Sequence, residues 1–440
     1  MDGSKSEQLI SELKKKGADD IIVSLDKVYT TQIKFVNNKI CNSIIEEEIS
    51  ATVFAAIEKK LVFISFKGNH DLNKIADKIM EMSKYIQPNE EYGGIAKGPF
   101  EYRKEVDFDK TLETSNFIDI VERGINTALE EGAKRASGTF RVETYENQTI
   151  TSNNVNISEK GTKAYLSLRA FVDQYASGHD VSVSRKLSQI NPEETAKNAT
   201  KIAIAAQEPK ELNKGRYDLV FSSLPAADIL DQVGMASSCY SVDAGLSCFK
   251  DNINKKVASE KVNLYDDGTI KTGIDATLYD AEGMPTQRTP IIENGILKTY
   301  LHNTSTAKRY NTTTTANAGL IEPLPTTIVL KEGNLSQNEM IKRIEKGLLI
   351  TNVWYTRFQN YNTGDFSTIP RDGIFYVENG KIKYPVKEIR IKANIIEFLS
   401  NIAEVGNDTK QILSWNVESP VFCPSILVKN IQITKPDIIR

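Results

Sequence analysis

The side chains that most often hold metal or act as base or nucleophile are few and scattered in this sequence. Histidine occurs three times in 440 residues, as His70, His179 and His302. None lies near another, so a zinc site built on two histidines one helical turn apart is excluded by spacing. The four cysteines, Cys41, Cys239, Cys248 and Cys423, form no CxxC pair. A chain of this length can build its core without staples, so they read as reduced thiols of a cytosolic protein. A cysteine and a histidine brought together by folding would make a nucleophile, but nothing local marks such a pair. Walker, GxGxxG and GxSxG patterns are all missing.

The densest run of hydrogen-bonding and aromatic side chains is Trp354 to Thr368, followed by Pro370-Arg371-Asp372. Within it Arg357, Gln359, Asn360, Thr363 and Asp365 alternate with rings. As a loop, this run could pair a peptide backbone while its rings cover the side chains. The plainer reading is a long hairpin that satisfies its own backbone and sends its rings to the core. A second polar stretch, Asn311 to Asn317, reads as a solvated Thr-rich loop after a short helix over 305–310.

Composition narrows the classes further. There are 55 basic and 58 acidic residues, for a net charge of −3, so no global field draws in nucleic acid. The N-terminus is polar and reads as lacking a signal peptide. No stretch reaches the roughly 20 apolar residues of a membrane helix. The sequon at Asn147-Gln148-Thr149 then carries no weight, since glycosylation needs a secretory route.

The elements that must position any site fall into a pattern. A helix bearing Leu9, Ile10 and Leu13, capped by Ser4 or Ser6, stops at Gly17. Strands are expected over 21–28, 31–36, 39–45, 50–57 and 61–66, with a turn at Asn37-Asn38. Asp71 caps a helix carrying Leu72, Ile75, Ile79, Met82 and Ile86. The plan then repeats. Ser115 caps a helix with Phe117, Ile118, Val121, Ile125 and Leu129 on one face, stopped at Gly132. Strands follow over 139–145, 149–152 and 163–172, with a turn at 146–148. A helix opens at Asn191-Pro192. Gly132-Ala133 echoes Gly17-Ala18, and the segment Ala176 to Asp180, with His179, is paired with Lys67 to Asp71, with His70. After residue 214 strands and turns dominate. Asn294-Gly295 and Asn379-Gly380 mark hairpins, Ser336 to Glu339 is a capping box, and a last helix spans 393–402. The expected fold class is α+β: duplicated helix–antiparallel sheet–helix units, then a β-rich C-terminal domain with few helices. Boundaries fall at 1–87, a linker at 88–109, 110–213 and 214–440.

Several of these phrases together resemble the TldD/PmbA family, whose PmbA branch is also called TldE. They are the helix ending at Gly17-Ala18, the Asn37-Asn38-Lys39 turn and the Asp71-capped helix. In the C-terminal half they are 292–301, Thr306-Ala307-Lys308-Arg309, 347–367 and Val405-Gly406-Asn407-Asp408. The resemblance implies a three-part, dimeric, cytoplasmic protein that acts in proteolysis of small or unfolded peptides. It implies zinc on an HExxxH helix, with a later cysteine as third ligand, in the TldD-type subunit only. The family's older description as a modulator of DNA gyrase does not imply DNA binding.

Placed on this sequence, the HExxxH slots fall on Asp231, Gln232 and Ala236, in a helix starting near Pro225. Alanine offers no donor, glutamine is no general base, and one carboxylate is no tetrahedral site. Asp231 accordingly reads as a surface or interface carboxylate. Cys423 lies beyond the cysteine slot and reads as structural. Cys239 and Cys248 are not at metal positions of the family. The expectation is a PmbA/TldE-like subunit with no cofactor of its own and no catalytic residue, paired with a zinc-bearing TldD-like partner or with itself. Peptides would be the substrate. Arg357, Gln359, Asn360, Thr363 and Asp365 would contact the peptide or the partner. The alternatives are a self-sufficient peptidase with an unrecognised site, using Asp231 or a cysteine, and a homodimeric peptide-binding scaffold.

Overall fold

The structure, a computed structural model, describes residues 3–68, 71–103, 106–113 and 115–435. His70 lies outside them. The first unit runs α1 (Gly3–Lys15), β1 (Asp20–Val36), β2 (Lys39–Ile57), β3 (Lys60–Lys67) and α2 (Leu72–Ser83). The second runs α3 (Ile118–Glu130), β4 (Arg135–Thr151), β5 (Asn156–Phe171), β6 (Ser177–Ser184) and α4 (Pro192–Ala205). Their strands form one sheet in the order β3-β2-β1-β4-β5-β6, antiparallel throughout. The duplicated units are thus fused back to back along β1 and β4.

Local chemistry accounts for the matching ends. Asn37 and Asn38 take φ of 49° and 69°, as the two-residue turn between β1 and β2 requires. Gly17 and Gly132 take φ of 97° and 106°, and the following Ala18 and Ala133 donate back to Leu13 and Ala128. Such left-handed stops favour glycine. Asp71 and Asn191 cap α2 and α4 through their side chains.

Other expectations are corrected. β1 and β2 are each continuous where two strands were expected. β4 runs straight through 146–148, because Asn147 is paired with Asp26 on one side and Glu159 on the other. A ladder on both sides overrides the turn preference of a polar run. Ser4 and Ser6 lie inside α1. Ser115 turns its hydroxyl to the Thr111 carbonyl, and Asn116 accepts from the Ile118 amide at the start of α3. Ile118 and Leu129 are exposed, and the buried face of α3 is Ile120, Val121, Gly124, Ile125 and Ala128. The pairing of 67–71 with 176–180 fails: Lys67 closes β3, whereas Ser177 opens β6.

The segment over 88–103 has no helix or strand but is tied to the C-terminal half. Gly93 donates to Ser305, Ala96 to Glu282, and Arg103 to the carbonyls of Gly268, Thr269 and Thr277.

Beyond residue 210 there are two further sheets. One has six strands, with Ile328–Leu330 between Leu264–Asp267 and Val417–Cys423. The other has ten, with Gly215–Phe221 between Ile426–Thr434 and Lys346–Ile350. Helix α5 (Ser223–Ala236) packs between them, and 12 of its 14 residues are buried. Ile229, Leu230 and Val233 share one core with Phe221 and Leu348 of the larger sheet and Leu264, Ile328 and Val421 of the smaller. A helix that is apolar nearly all round belongs in such an interior. The Asn294-Gly295 and Asn379-Gly380 turns and the Ser336 capping box form as expected. The last helix is shorter, Ile395–Ser400. Among the described residues no helix is long and apolar enough to cross a membrane.

Candidate functional site

Asp231, Gln232 and Ala236, the residues that the resemblance sets against HExxxH, sit on the second half of α5. Asp231, expected as a surface or interface carboxylate, is instead fully buried within the chain. Its Oδ1 accepts the Ser419 amide at 3.0 Å and its Oδ2 the Glu418 amide at 3.1 Å. Burial pushes its pKa up to about 7. Both oxygens are therefore engaged in holding the strand Val417–Cys423 to α5. Gln232 is half-buried and Ala236 buried. One turn earlier Asp228, also buried, takes the Thr356 hydroxyl, and burial raises it to about 6. Among the described residues no three His, Cys, Asp or Glu side chains are grouped to hold a metal ion. The donor set at the slots does not fit zinc, which takes three or four protein ligands.

The cysteines are all free thiols. Cys41 is exposed, while Cys239, Cys248 and Cys423 are buried. Burial raises Cys239, Cys248 and Cys423 above the ordinary thiol range, Cys248 to about 11. Such thiols are poor nucleophiles at neutral pH.

The polar–aromatic run is a hairpin, Val353–Asn360 paired with Asp365–Pro370, at the edge of the ten-stranded sheet. All five candidate residues are on it and exposed. Three of them build its end. The Asn360 Oδ1 accepts from the Asn362 and Thr363 amides, and the Thr363 hydroxyl donates to Asp365. Asn394 donates to the other oxygen of Asp365 and anchors the tip. Gln359 donates to Ser367, and the Arg357 guanidinium lies over the Tyr355 ring at 4.4 Å. Only one ring, Phe366, is fully in the core. Trp354, Tyr355 and Tyr361 stay exposed.

The loop over 311–317 is not simply solvated. Thr315, Ala316 and Asn317 are buried. Thr315 exchanges hydrogen bonds with the His302 backbone, and Asn317 donates to Asp266. His302 is itself buried, with its ring beside Tyr310, and burial lowers its pKa to about 4.

His179 opens onto a polar cluster that spacing alone did not reveal. Its Nε2 lies 2.8 Å from the Ser167 hydroxyl, and its Nδ1 lies 3.2 Å from the Asn352 amide nitrogen. Asn352 donates to Asp372, as does Ser177. Arg169 and Arg371 flank the same carboxylate. The one sequence signal was Arg371-Asp372 at the end of the polar run. Asp372 holds φ of 59°, the conformation of a turn residue.

Residues 214–435 match the PmbA/TldA metallopeptidase C-terminal domain, and residues 107–207 its central domain. The chain belongs to the PmbA/TldD metallopeptidase family. Among curated relatives it is 29% identical over 255 residues to a metalloprotease PmbA homolog of Buchnera aphidicola, a match covering 58% of this chain and 54% of that one. The chain thus spans about half the length of that relative. A Haemophilus influenzae homolog of the same name is 26% identical, over 86% of this chain and 79% of the relative. Among solved structures, TldE from Thermococcus kodakarensis matches with a TM-score of 0.88 at 20% identity, over 98% of this chain and 100% of that one. A Thermotoga maritima protein described as a modulator of a DNA gyrase gives 0.86 at 22%, over 98% and 99%. At these identities the likeness speaks for the fold.

Proposed function

We propose that this chain is the PmbA/TldE-like, non-zinc subunit of a cytoplasmic two-subunit metalloprotease that degrades or processes small unfolded peptides. The carrying observation is on α5. The slot that would hold the first zinc histidine is an aspartate spent on two backbone amides, and the second slot is Ala236. The helix has kept its buried place between two sheets while its side chains serve packing. The likeness to the Thermococcus structure named TldE supports the same reading. The chain would wall a chamber and present an extended peptide to zinc in an HExxxH-bearing partner. The exposed face of the hairpin, with Arg357, Gln359, Asn360, Thr363 and Asp365, would contact peptide or partner.

The test is to purify the chain alone and together with an HExxxH-bearing partner from the same source. Zinc content and peptidase activity are measured on both. The expectation is zinc and activity in the complex only. Stoichiometric zinc with peptidase activity in the lone chain would refute it.

A further inference from the structure

The sequence has two tryptophans, and both stand at one cavity. This cavity of about 340 Å³ lies between β5 and β6 on one side and the C-terminal half on the other. Trp354 and Trp415 have ring centroids 6.2 Å apart, and Trp415 is 77% exposed. Arg371 lies over the Trp354 ring at 4.7 Å. Arg169 and His179 rise from β5 and β6 into the same space.

The charges there do not cancel. Asp372, buried, is the one carboxylate between the two guanidiniums. Its Oδ1 faces the Arg169 Nε at 3.2 Å and takes the Ser177 hydroxyl at 2.6 Å. Its Oδ2 faces the Arg371 Nε at 3.7 Å and takes the Asn352 amide at 2.6 Å. It thus accepts one hydrogen bond on each oxygen and faces one guanidinium on each. Burial would raise the Asp372 carboxyl, but Arg169, His179, Arg371 and the Ser177 hydrogen bond hold it below its ordinary value. Burial, with Arg169 adding to it, keeps His179 neutral at pH 7. Two fixed positive charges therefore meet one negative charge. Both arginines face Asp372 through Nε as ion pairs without a hydrogen bond: the buried Arg169 Nε has no hydrogen-bond partner, the Arg371 Nε stands 3.7 Å away, and among the described residues their Nη groups make no hydrogen bond. A guanidinium fork left open in this way matches a carboxylate in two-point geometry. The two indoles beside it offer an apolar wall, and pockets of this size take small ligands.

We propose that this cavity binds a carboxylate carried next to an aromatic or aliphatic side chain, as at the C-terminus of a peptide. Arg169 and Arg371 hold the carboxylate, and Trp354 and Trp415 cover the side chain. That the carboxylate belongs to a peptide rests on the function proposed above; the carboxylate recognition itself does not.

Selective tryptophan excitation reports this cavity alone, because no other indole exists in the chain. The full-length chain is titrated with a short N-acetylated peptide ending in phenylalanine, as the free acid and as the C-terminal amide. Acetate is titrated in parallel. The expected result is a saturable fluorescence change with the free acid, and at least about tenfold weaker binding of the amide, the loss of a charge-assisted pair. Acetate is expected to compete only weakly. Trp415→Phe, at an exposed position, should lower affinity without changing the melting temperature. Arg371→Lys, which keeps the charge but loses the fork, should narrow the acid-over-amide preference. Equal binding of acid and amide, no fluorescence response to either, or acetate binding as tight as the peptide would each overturn the proposal. The titration needs no partner or zinc. A preference for the free acid would stand even if the chain failed to pair with a protease subunit, and a working complex would stand even if the preference were missing.

Discussion

The Asp231 carboxylate on α5 accepts the Ser419 amide at 3.0 Å, joining the helix to a strand 188 residues further on. The neighbouring Glu418 amide fills the other oxygen. Asp231→Ala should therefore leave one buried and one part-buried donor unpaired and cost on the order of 2–4 kcal/mol in a denaturant melt. Asp231→Asn keeps one acceptor and should cost about 1 kcal/mol. The variants also differ in pH response. The folded Asp231 titrates near 7 and an unfolded aspartate near 3.8, so between these values the folded state holds the extra proton. Stability from this group is then full below the unfolded value and falls as pH rises toward 7, by roughly 1.4 kcal/mol per unit at most. The advantage of wild type over Asp231→Asn should shrink between pH 4 and 7. Parallel profiles would show that the carboxyl is not buried in its acid form.

Gly178 lies at the start of β6, against α4. A Cβ there would meet the Ala199 carbonyl at 2.0 Å and the Ala203 amide nitrogen at 2.7 Å. Both are backbone atoms that cannot swing away. Gly178→Ala should destabilise the second unit by about 1–3 kcal/mol, read as a lower melting temperature. An unchanged melt would mean that the helix can lift from the strand.

What was legible in the sequence had local causes. Asn37-Asn38, Gly17 and Gly132, Asp71, Asn191 and Ser336 each act through their own backbone or a residue a few positions away, and the structure places each as expected. The duplicated order of elements followed from these marks. What was not legible depended on distant partners. Asn147 forms no turn because strands on both sides hold it. Asp231 is buried because Glu418 and Ser419 come to it. The polar cluster at His179 needs Asn352, 173 positions away, and no spacing rule carries that far. For the polar–aromatic run the sequence allows a loop or a hairpin, and the chain forms the hairpin. Most of its rings nonetheless stayed outside the core, because the run lies at a sheet edge where one face meets solvent.

Arg103 is the clamp that keeps the connecting segment in place. Its guanidinium donates to three carbonyls and to the Thr286 hydroxyl. Arg103→Ala should orphan those carbonyls and free the segment around it. Limited proteolysis should then cut between residues 88 and 109 several-fold faster than in wild type, with little change elsewhere. Equal cleavage rates would mean that Gly93 and Ala96 suffice to hold the segment.

His302 should make the protein sensitive to mild acid. It is 2% exposed and titrates near 4 in the folded chain, against about 6.5 when unfolded. Below pH 6.5 the unfolded state takes up the proton first. Stability from this neutral imidazole is therefore full above pH 6.5 and is lost as pH falls toward 4. A shift of this size corresponds to about 3 kcal/mol. His302→Phe keeps a ring beside Tyr300 and Tyr310 but has no proton to gain. It should lose the Thr306 contact and be less stable at pH 7 by about 1 kcal/mol. On going from pH 7 to 4.5 it should lose less stability than wild type. His179, held neutral by burial in its own cluster, would leave a residual acid slope in the variant. Denaturant melts of both proteins across this range decide the matter: curves that stay parallel would show that the His302 ring can reach water before the chain unfolds.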